Sequence, residues 1–384
     1  MKVLHVITSL AAGGAERQLA ALLRHTDMPC EVATLTDTGR EAGVAALGVP
    51  VHSLRMRGNR DVSAVGRLVT LMREGRYDVV HTHLYRACVY GRFAARLAGV
   101  PAIVATEHSL CTSHIEGRPK NASIRALYRA SERVGHLTVA VSRAVADRLA
   151  EWGVRRVHVV PNGIDAAAFA FDPEARRARR AAYGIPADAF VIGGLGRLVR
   201  SKRFDVLLSA LGGLPSAWLL LVGEGPARPI LEALARYNGV ADRVVITGEV
   251  PDVPAHLAAM DVLAAPAEEE TFGLAVLEGL AAGLPVLHAA CPSLDELPPG
   301  AAPGARRVAP GHTSFRAELC ALAQSDPVRL PPPPAVAHYD IRRHVGALTS
   351  LYAHVLTRGP LPSYQPDLSG PLGPLGPLGS PEPP

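Results

Sequence analysis

Short apolar runs alternate with helical patterns twice along this chain of 384 residues. The first series reads V-L-H-V-I-T-S, C-E-V-A-T-L-T, Y-D-V-V-H-T-H, A-I-V-A-T-E-H and L-T-V-A-V-S. The second begins at residue 190 and reads F-V-I-G-G-L-G, W-L-L-L-V-G, R-V-V-I-T-G, D-V-L-A-A-P and P-V-L-H-A. Apolar runs of this length, bounded by turn residues and separated by helices, predict strands buried on both faces, hence parallel sheets covered by helices. The length suits two such domains. The expected architecture is α/β, two doubly wound Rossmann-like domains facing a cleft, with ligands beyond the carboxyl ends of the strands.

Residues 1–165 are expected as the first domain, closed by P-N-G-I-D, in which Asn162-Gly163 signals a turn. The Arg-rich segment 166–189 reads as the crossing, 190–340 as the second domain, and 341–357 as a C-terminal helix that packs back on the first. Residues 358–384, with P-L-G-P-L-G-P-L-G, are low in complexity and expected to be disordered.

Composition removes several function classes. A net charge of +5 suits an anionic ligand, yet is too small to argue for nucleic acid. No zinc-finger spacing or RNA-binding signature occurs. The five cysteines are scattered and form no C-x-x-C, which fits a reduced, cytoplasmic protein. The opening residues read as a first strand feeding a glycine loop rather than as a signal peptide, and no run of 18 apolar residues exists to span a membrane.

Chemistry-bearing residues fall at the strand ends. Gly13 and Gly14 follow the first strand, where backbone could approach a diphosphate or where the chain simply turns. Arg197 and Lys202 are two cations beyond the strand at 190, spaced to flank one pyrophosphate. Gly223, Glu224 and Gly225 follow the next strand. The segment E-T-F-G-L-A-V-L-E places Glu270 and Glu278 eight positions apart. Phe272-Gly273-Leu274 can turn tightly, since Gly273 accepts a positive φ. A helix is expected over 274–282, closed by Gly283 and Pro285. Glu278 then lies one turn inside that helix and Glu270 in the loop before it, with helix-start N–H groups facing phosphates. His81 and His83 sit at i, i+2 with no third partner in sequence, poor evidence for a metal, and read as positioning or structural groups. No metal ligand set is assigned. Ser142 reads as a helix N-cap. Arg125, Arg129 and Arg133 line one helix as either a solvated face or a face for anionic lipid or a phosphorylated acceptor, and the polar loop 110–121 is expected to contact an acceptor.

This set of motifs resembles the donor-binding signature of the family-4 retaining glycosyltransferases with the GT-B fold. It is carried by G-G-A-E at 13–16, V-S-R-A-V near 142, P-N-G-I-D at 161–165, G-R-L-V-R-S-K at 196–202, L-V-G-E-G-P at 221–226 and the E-x7-E segment, in the family's order, over residues 1–295. The resemblance implies that Arg197 and Lys202 stabilise the leaving diphosphate and that Glu278 accepts from a ribose hydroxyl. It implies that Glu270 orients the donor sugar, held with the backbone of Phe272, Gly273 and Leu274. The Gly223–Gly225 loop would lie near the base, and His108 would hydrogen-bond a sugar hydroxyl or the departing phosphate. No D-x-D occurs, so no cofactor or metal is expected: two cations and helix ends would hold a UDP, GDP or dTDP sugar. The resemblance assigns no protein nucleophile, since in this family the leaving phosphate assists the attacking hydroxyl.

The expected function is thus metal-independent, retaining sugar transfer to a small-molecule, glycan or lipid-linked acceptor, in glycan assembly or in natural-product biosynthesis such as that of aminocyclitol antibiotics. A peripheral membrane contact stays open and no nucleic-acid partner is expected. A sugar-nucleotide epimerase of similar architecture and a non-catalytic sugar-nucleotide-binding subunit are the alternatives. A dinucleotide dehydrogenase is disfavoured, because G-G-A-E is not G-x-G-x-x-G.

Overall fold

The computed structural model describes residues 1–11, 13–36, 43–58, 61–112, 114–115, 118–119, 121–325 and 328–359. It divides into two compact units, Met1–Gly163 with the chain from Ile341 onward, and Ile164–Asp340.

The first unit holds strands β1 (Val3–Ile7), β2 (Cys30–Thr34), β3 (Val51–Ser53), β4 (Val79–His83), β5 (Ala102–Glu107), β8 (Leu137–Ala140) and β9 (Val157–Val159) in one parallel sheet, ordered β3-β2-β1-β4-β5-β8-β9. A small antiparallel ribbon, β6 (His114–Ile115) and β7 (Arg118–Pro119), falls inside the expected acceptor loop. The helices are α1 (Gly14–His25), α2 (Ser63–Gly75), α3 (Tyr85–Ala98), α4 (Ala122–Glu132), α5 (Arg143–Glu151) and the C-terminal helix Ile341–Arg358. Every residue of β1, β4 and β5 is buried, as two-sided coverage requires. On one face Val3, Ile7, Val79 and Val104 pack with Leu19 and Leu23 of α1 and with Leu348 and Leu351 of the C-terminal helix. On the other, Leu4, Val6, Val80 and Ile103 meet Leu68 of α2 and Ala94 of α3. The alternation of those two sets along each strand is the period-2 geometry of a strand. Gly163 owes its conservation of space to the C-terminal helix rather than to turn geometry: a Cβ there would lie 2.6 Å from the Cα of Ile341.

The second unit carries β10 (Phe190–Leu195), β11 (Ala217–Val222), β12 (Val244–Ile246), β13 (Val262–Ala265), β14 (Val286–His288) and β15 (Ala305–Arg307), all parallel, ordered β12-β11-β10-β13-β14-β15. Its core joins Ile192, Leu219, Leu221 and Val262 to α7 (Phe204–Leu211) and α8 (Arg228–Tyr237). The segment 166–189, expected as a crossing, instead belongs to this unit. Its helix α6 (Pro173–Ala182) packs on α9 (Val253–Ala259). The anchor is Asp261, buried, whose carboxylate accepts from Arg176 at 2.6 Å, from Arg180 at 2.7 Å and from the backbone N–H of Val191 at 2.7 Å. The arginines that made this segment look like a solvated linker are its attachment.

The helix expected over 274–282 is α10, Leu274–Ala281, with Gly273 at φ 102 before it and Gly283 at φ 73 after it. The low-complexity tail lies outside the described residues from 360 on, and Arg358 ends the C-terminal helix. Among the described residues no helix is long and apolar enough to cross a membrane.

Candidate functional site

In an open parallel sheet the ligand crevice forms where strand order reverses. In the second unit that point lies between β10 and β13, and both strands end in residues singled out by sequence. Past β10 the chain runs through Gly196 and the exposed Arg197 into a short 3-10 turn, Arg200–Lys202. Past β13 it runs through Glu270 into α10. The Lys202 ammonium is hydrogen-bonded to the Glu270 carboxylate, closing the gap between the two loops. Arg197 has no ion-pair partner among the described residues. Arg203 is paired with Glu268 and Asp205.

The start of α10 adjoins Glu270 in sequence. Gly273 takes the left-handed N-cap conformation without a side-chain cap. The N–H groups of Val276 and Leu277 both turn back to the Gly273 carbonyl, at 3.0 and 3.3 Å. The N–H groups of the preceding residues precede the first helical bond and present positive charge outward. Glu278, one turn in, is 5 % exposed. The Phe272 side chain is buried edge-on against Tyr339, with ring centroids 5.2 Å apart. The loop after β14 supports this turn from behind. Ser293 N–H donates to the Phe272 carbonyl at 2.9 Å, and a Cβ on Gly273 would meet Cys291 Sγ at 2.5 Å. Tyr339 OH donates to the Ser293 carbonyl at 2.6 Å. Cys291, Ser293 and Tyr339 escaped the sequence reading, since nothing local links them to a turn 20 to 70 residues away. Burial pushes the Cys291 thiol up to about 12, so it packs here as a small apolar group rather than as a nucleophile.

The glycines at 223 and 225 are required by a close approach of two backbones. A Cβ on Gly223 would sit 2.1 Å from the Gly196 carbonyl oxygen, and one on Gly225 would sit 2.4 Å from that of Leu198. The bonds Gly196 N–H to Val222 O (3.0 Å) and Leu198 N–H to Glu224 O (2.9 Å) zip the two loops together. The glycines let backbone meet backbone and so fix the carrier of Arg197 and Lys202. Glu224 is held by Arg228 at 2.6 Å, which lowers its carboxyl below the ordinary range.

In the first unit the reversal lies between β1 and β4. Gly13 is the N-cap of α1 with extended backbone, and Gly14 opens the helix. Neither needs a positive φ, and a Cβ on Gly13 would strike the Glu16 carboxylate at 2.2 Å. His83 ends β4 and His108 follows β5, and a third histidine joins them. His5 of β1 is the lateral partner of His81 in the register, so the reasoning that His81 and His83 lack a third partner does not hold in space. His5 Nδ1 lies 3.0 Å from His83 Nε2, and His83 Nδ1 lies 3.2 Å from His108 Nε2. His81 is bracketed by Tyr352 OH at 2.5 Å and Thr106 Oγ1 at 2.6 Å. Burial drives His5 and His108 down to about 3 and His81 and His83 well below the usual imidazole value, with neighbouring histidines adding to the shift. The row is neutral at pH 7. Ring nitrogens of His5, His81 and His83 come within 4.8 Å of one another.

Ser142 caps α5 as expected, accepting from Val145 N–H at 3.1 Å. The arginine stripe on α4 is neither wholly solvated nor wholly available to a lipid: Arg125 donates to the Glu151 carbonyl at 2.7 Å and the Trp152 carbonyl at 3.3 Å, at the C-terminus of α5, where cations are favoured.

Two parallel doubly wound sheets of this topology make the GT-B fold. Anabaena Alr3699/HepE, solved in complex with UDP and glucose, superposes with a TM-score of 0.80 at 21 % identity, covering 92 % of this chain and 99 % of that one. WaaG, a glycosyltransferase involved in lipopolysaccharide biosynthesis, superposes at 0.66 and 19 % identity, covering 94 % and 100 %. Residues 12–168 match Glycosyltransferase Family 4, and residues 189–324 match Glycosyl transferases group 1. A D-inositol 3-phosphate glycosyltransferase of Xylanimonas cellulosilytica is 32 % identical over 323 residues, 75 % of this chain and 74 % of that protein. A 2-deoxystreptamine glucosyltransferase of Streptomyces kanamyceticus is 31 % identical over 266 residues, covering 63 % and 68 %. The chain belongs to the family-4 glycosyltransferases, with a group 1 glycosyl transferase domain as its second half.

Proposed function

We propose that this enzyme transfers a sugar from a nucleoside diphosphate donor (UDP, GDP or dTDP) to a hydroxyl of a small cyclitol, with retention and without a metal. The carrying observation is the Lys202–Glu270 pair beside the uncapped start of α10, at the strand-order reversal of the second unit. Lys202 and Arg197 supply positive charge to the diphosphate as the leaving group gains negative charge. Preorganised charge of this kind is often the largest catalytic term. The N–H groups at Gly273 and Leu274 bind its oxygens. Glu270, freed from Lys202 by the incoming phosphate, orients the sugar, and Glu278 accepts from the ribose. His108 has the role the resemblance gives it, a hydrogen bond to a sugar hydroxyl or the departing phosphate. The attacking hydroxyl loses its proton to that phosphate on the same face, which yields retention without a protein nucleophile.

The cyclitol acceptor is supported by relatives whose names specify inositol 3-phosphate or 2-deoxystreptamine. Another relative, from Escherichia coli, is named for a diphosphoundecaprenol acceptor, and a lipid-linked acceptor is the competing outcome. The test is ligand-observed NMR against UDP, GDP and dTDP sugars in EDTA, then transfer assays with cyclitols and lipid-linked sugars. One donor should bind without metal, and the product should keep the donor's anomeric configuration. An inverted product, or activity abolished by EDTA and restored by a divalent ion, would falsify the mechanism. Turnover of lipid-linked acceptors alone would remove the cyclitol assignment.

A further inference from the structure

Helix α10 is too short to hold itself in place. It has eight residues, fewer than the roughly 12–15 that an isolated helix needs in water, and its left-handed start at Gly273 carries no side-chain cap. Its position is therefore set from outside, and the proline-rich chain over 329–339 holds it at both ends.

At the C-terminal end the anchor is Arg329. Its guanidinium donates through Nη1 to the carbonyl of Ala282, the C-cap of α10, at 2.9 Å. Through Nη2 it donates to the carbonyls of Ala258 at 2.8 Å and Met260 at 2.6 Å, where α9 ends. One cation thus satisfies carbonyls at two helix ends, where positive charge is favoured. The guanidinium also lies over the Phe171 ring, 4.3 Å from its centroid. Burial and the neighbouring Arg176 pull Arg329 down only to about 10, so it is charged at pH 7. Next along the chain, Leu330 N–H donates to the Gly283 carbonyl at 2.9 Å. The return approach is so close that a Cβ on Gly283 would lie 2.6 Å from the Leu330 carbonyl oxygen.

Pro333, at φ −75 and ψ 166, has polyproline II geometry, and proline-rich chain of that form is stiff. It leads into the short helix Pro334–His338, which packs on α10. Tyr339 closes the run at the other end of α10. Its ring meets Phe272 edge-on, and its OH donates to the Ser293 carbonyl at 2.6 Å. Ser293 N–H in turn donates to the Phe272 carbonyl at 2.9 Å. The chain is a strap running antiparallel to α10, fastened at its last turn and at its first.

We propose that Arg329 and Tyr339 are positioning residues for the nucleotide donor, which through this strap fix the Gly273 and Leu274 N–H groups and Glu278 against the diphosphate and ribose. Each acts through α10 rather than by contact with the donor. The inference rests on the reading of α10 as the diphosphate site. Placement there counts on a fine scale, since a shift of about 1 Å far from the chemistry costs up to roughly 100-fold in rate.

The test measures donor kcat and KM, acceptor KM, affinity for UDP, GDP and dTDP by ligand-observed NMR, and Tm, all on the full chain. Arg329→Gln should lower kcat/KM for the donor roughly 10- to 100-fold and weaken nucleotide binding, with acceptor KM unchanged. Arg329→Lys keeps the charge but not the fork that spans two helix ends, and should recover part of the loss. Tyr339→Phe keeps the ring and removes one hydrogen bond, and should lower the same ratio roughly 3- to 10-fold. Phe315→Leu is the stability control: it lies in the core between α7 and the helix His312–Ala323, and should lower Tm while leaving the donor constants alone. Donor constants unchanged in either Arg329→Gln or Tyr339→Phe, with only Tm reduced, overturn the proposal and leave the donor site standing. Should Arg329→Gln fail to fold, Tyr339→Phe decides. An unmodified protein that binds none of the three nucleotides removes the donor-site reading and the strap's role with it.

Discussion

Lys202 and Glu270 join two loops that leave neighbouring strands, β10 and β13, at the one place where the strand order of the second unit reverses. The two side chains are 28 and 16 % exposed. A half-open pair of this kind contributes at most about 1 kcal/mol to stability. An anionic diphosphate would compete directly with the carboxylate for the ammonium.

Lys202→Ala should therefore cost activity and not fold. Transfer should drop roughly 100- to 1,000-fold, equivalent to about 2.7–4 kcal/mol for one preorganised donor, while the urea midpoint stays nearly constant. Glu278→Ala should abolish transfer in a folded protein. Steady-state kinetics beside a denaturation curve checks both, and full activity in either removes the donor-site assignment.

Gly223→Ala should destabilise by about 2–4 kcal/mol, because its Cβ would lie 2.1 Å from the Gly196 carbonyl at a φ of 145. Gly346→Ala is the contrast. That glycine is exposed within the C-terminal helix, with nothing within 4 Å of a Cβ, and the change should stabilise by about 0.5–1 kcal/mol. Equal effects of the two in chemical denaturation would contradict the account of the zipped loops.

Acid should unfold the protein early. His5 and His108 titrate at about 3 in the fold against 6.5 unfolded, and His344 at about 4. Below pH 6.5 the unfolded chain takes up protons that the folded one refuses. Stability is then complete above pH 6.5 and falls towards pH 3, by up to about 1.4 kcal/mol per pH unit for each such histidine. Unfolding free energy measured from pH 7.5 to 4.5 should drop steeply, and His5→Phe should make the slope shallower. A flat profile would mean the histidines are not buried in neutral form.

Asp261→Asn should cost about 3–5 kcal/mol, since Arg180, 3 % exposed, would lose the carboxylate it is paired with while remaining buried. Thermal unfolding measures it. The loss should be accompanied by faster proteolysis of 166–189, the segment Asp261 anchors.

Much of this protein was readable locally. The strands appear as apolar runs because two-sided burial demands apolar residues at every position. The bounds of α10 follow from glycines whose positive φ is a local requirement. The Ser142 cap is a local hydrogen bond. What failed locally is equally specific. Segment 166–189 looked like a linker because arginines are usually solvated, yet Arg176 and Arg180 reach Asp261, more than 80 positions on. His81 and His83 looked partnerless because His5 lies 76 residues before His81 and meets it only through strand pairing.

The sequence by itself determined the class of fold, the strand-end location of the motifs and the membership of the family, because burial patterning, caps and turns are short-range. Only the tertiary structure decided which residues act together. Lys202 with Glu270, Cys291 with Gly273, Tyr352 with His81, and the chain from His5 to His108 all depend on which strands lie side by side. Strand order is set by packing many weak contacts across the whole sheet, and no single stretch of sequence encodes it.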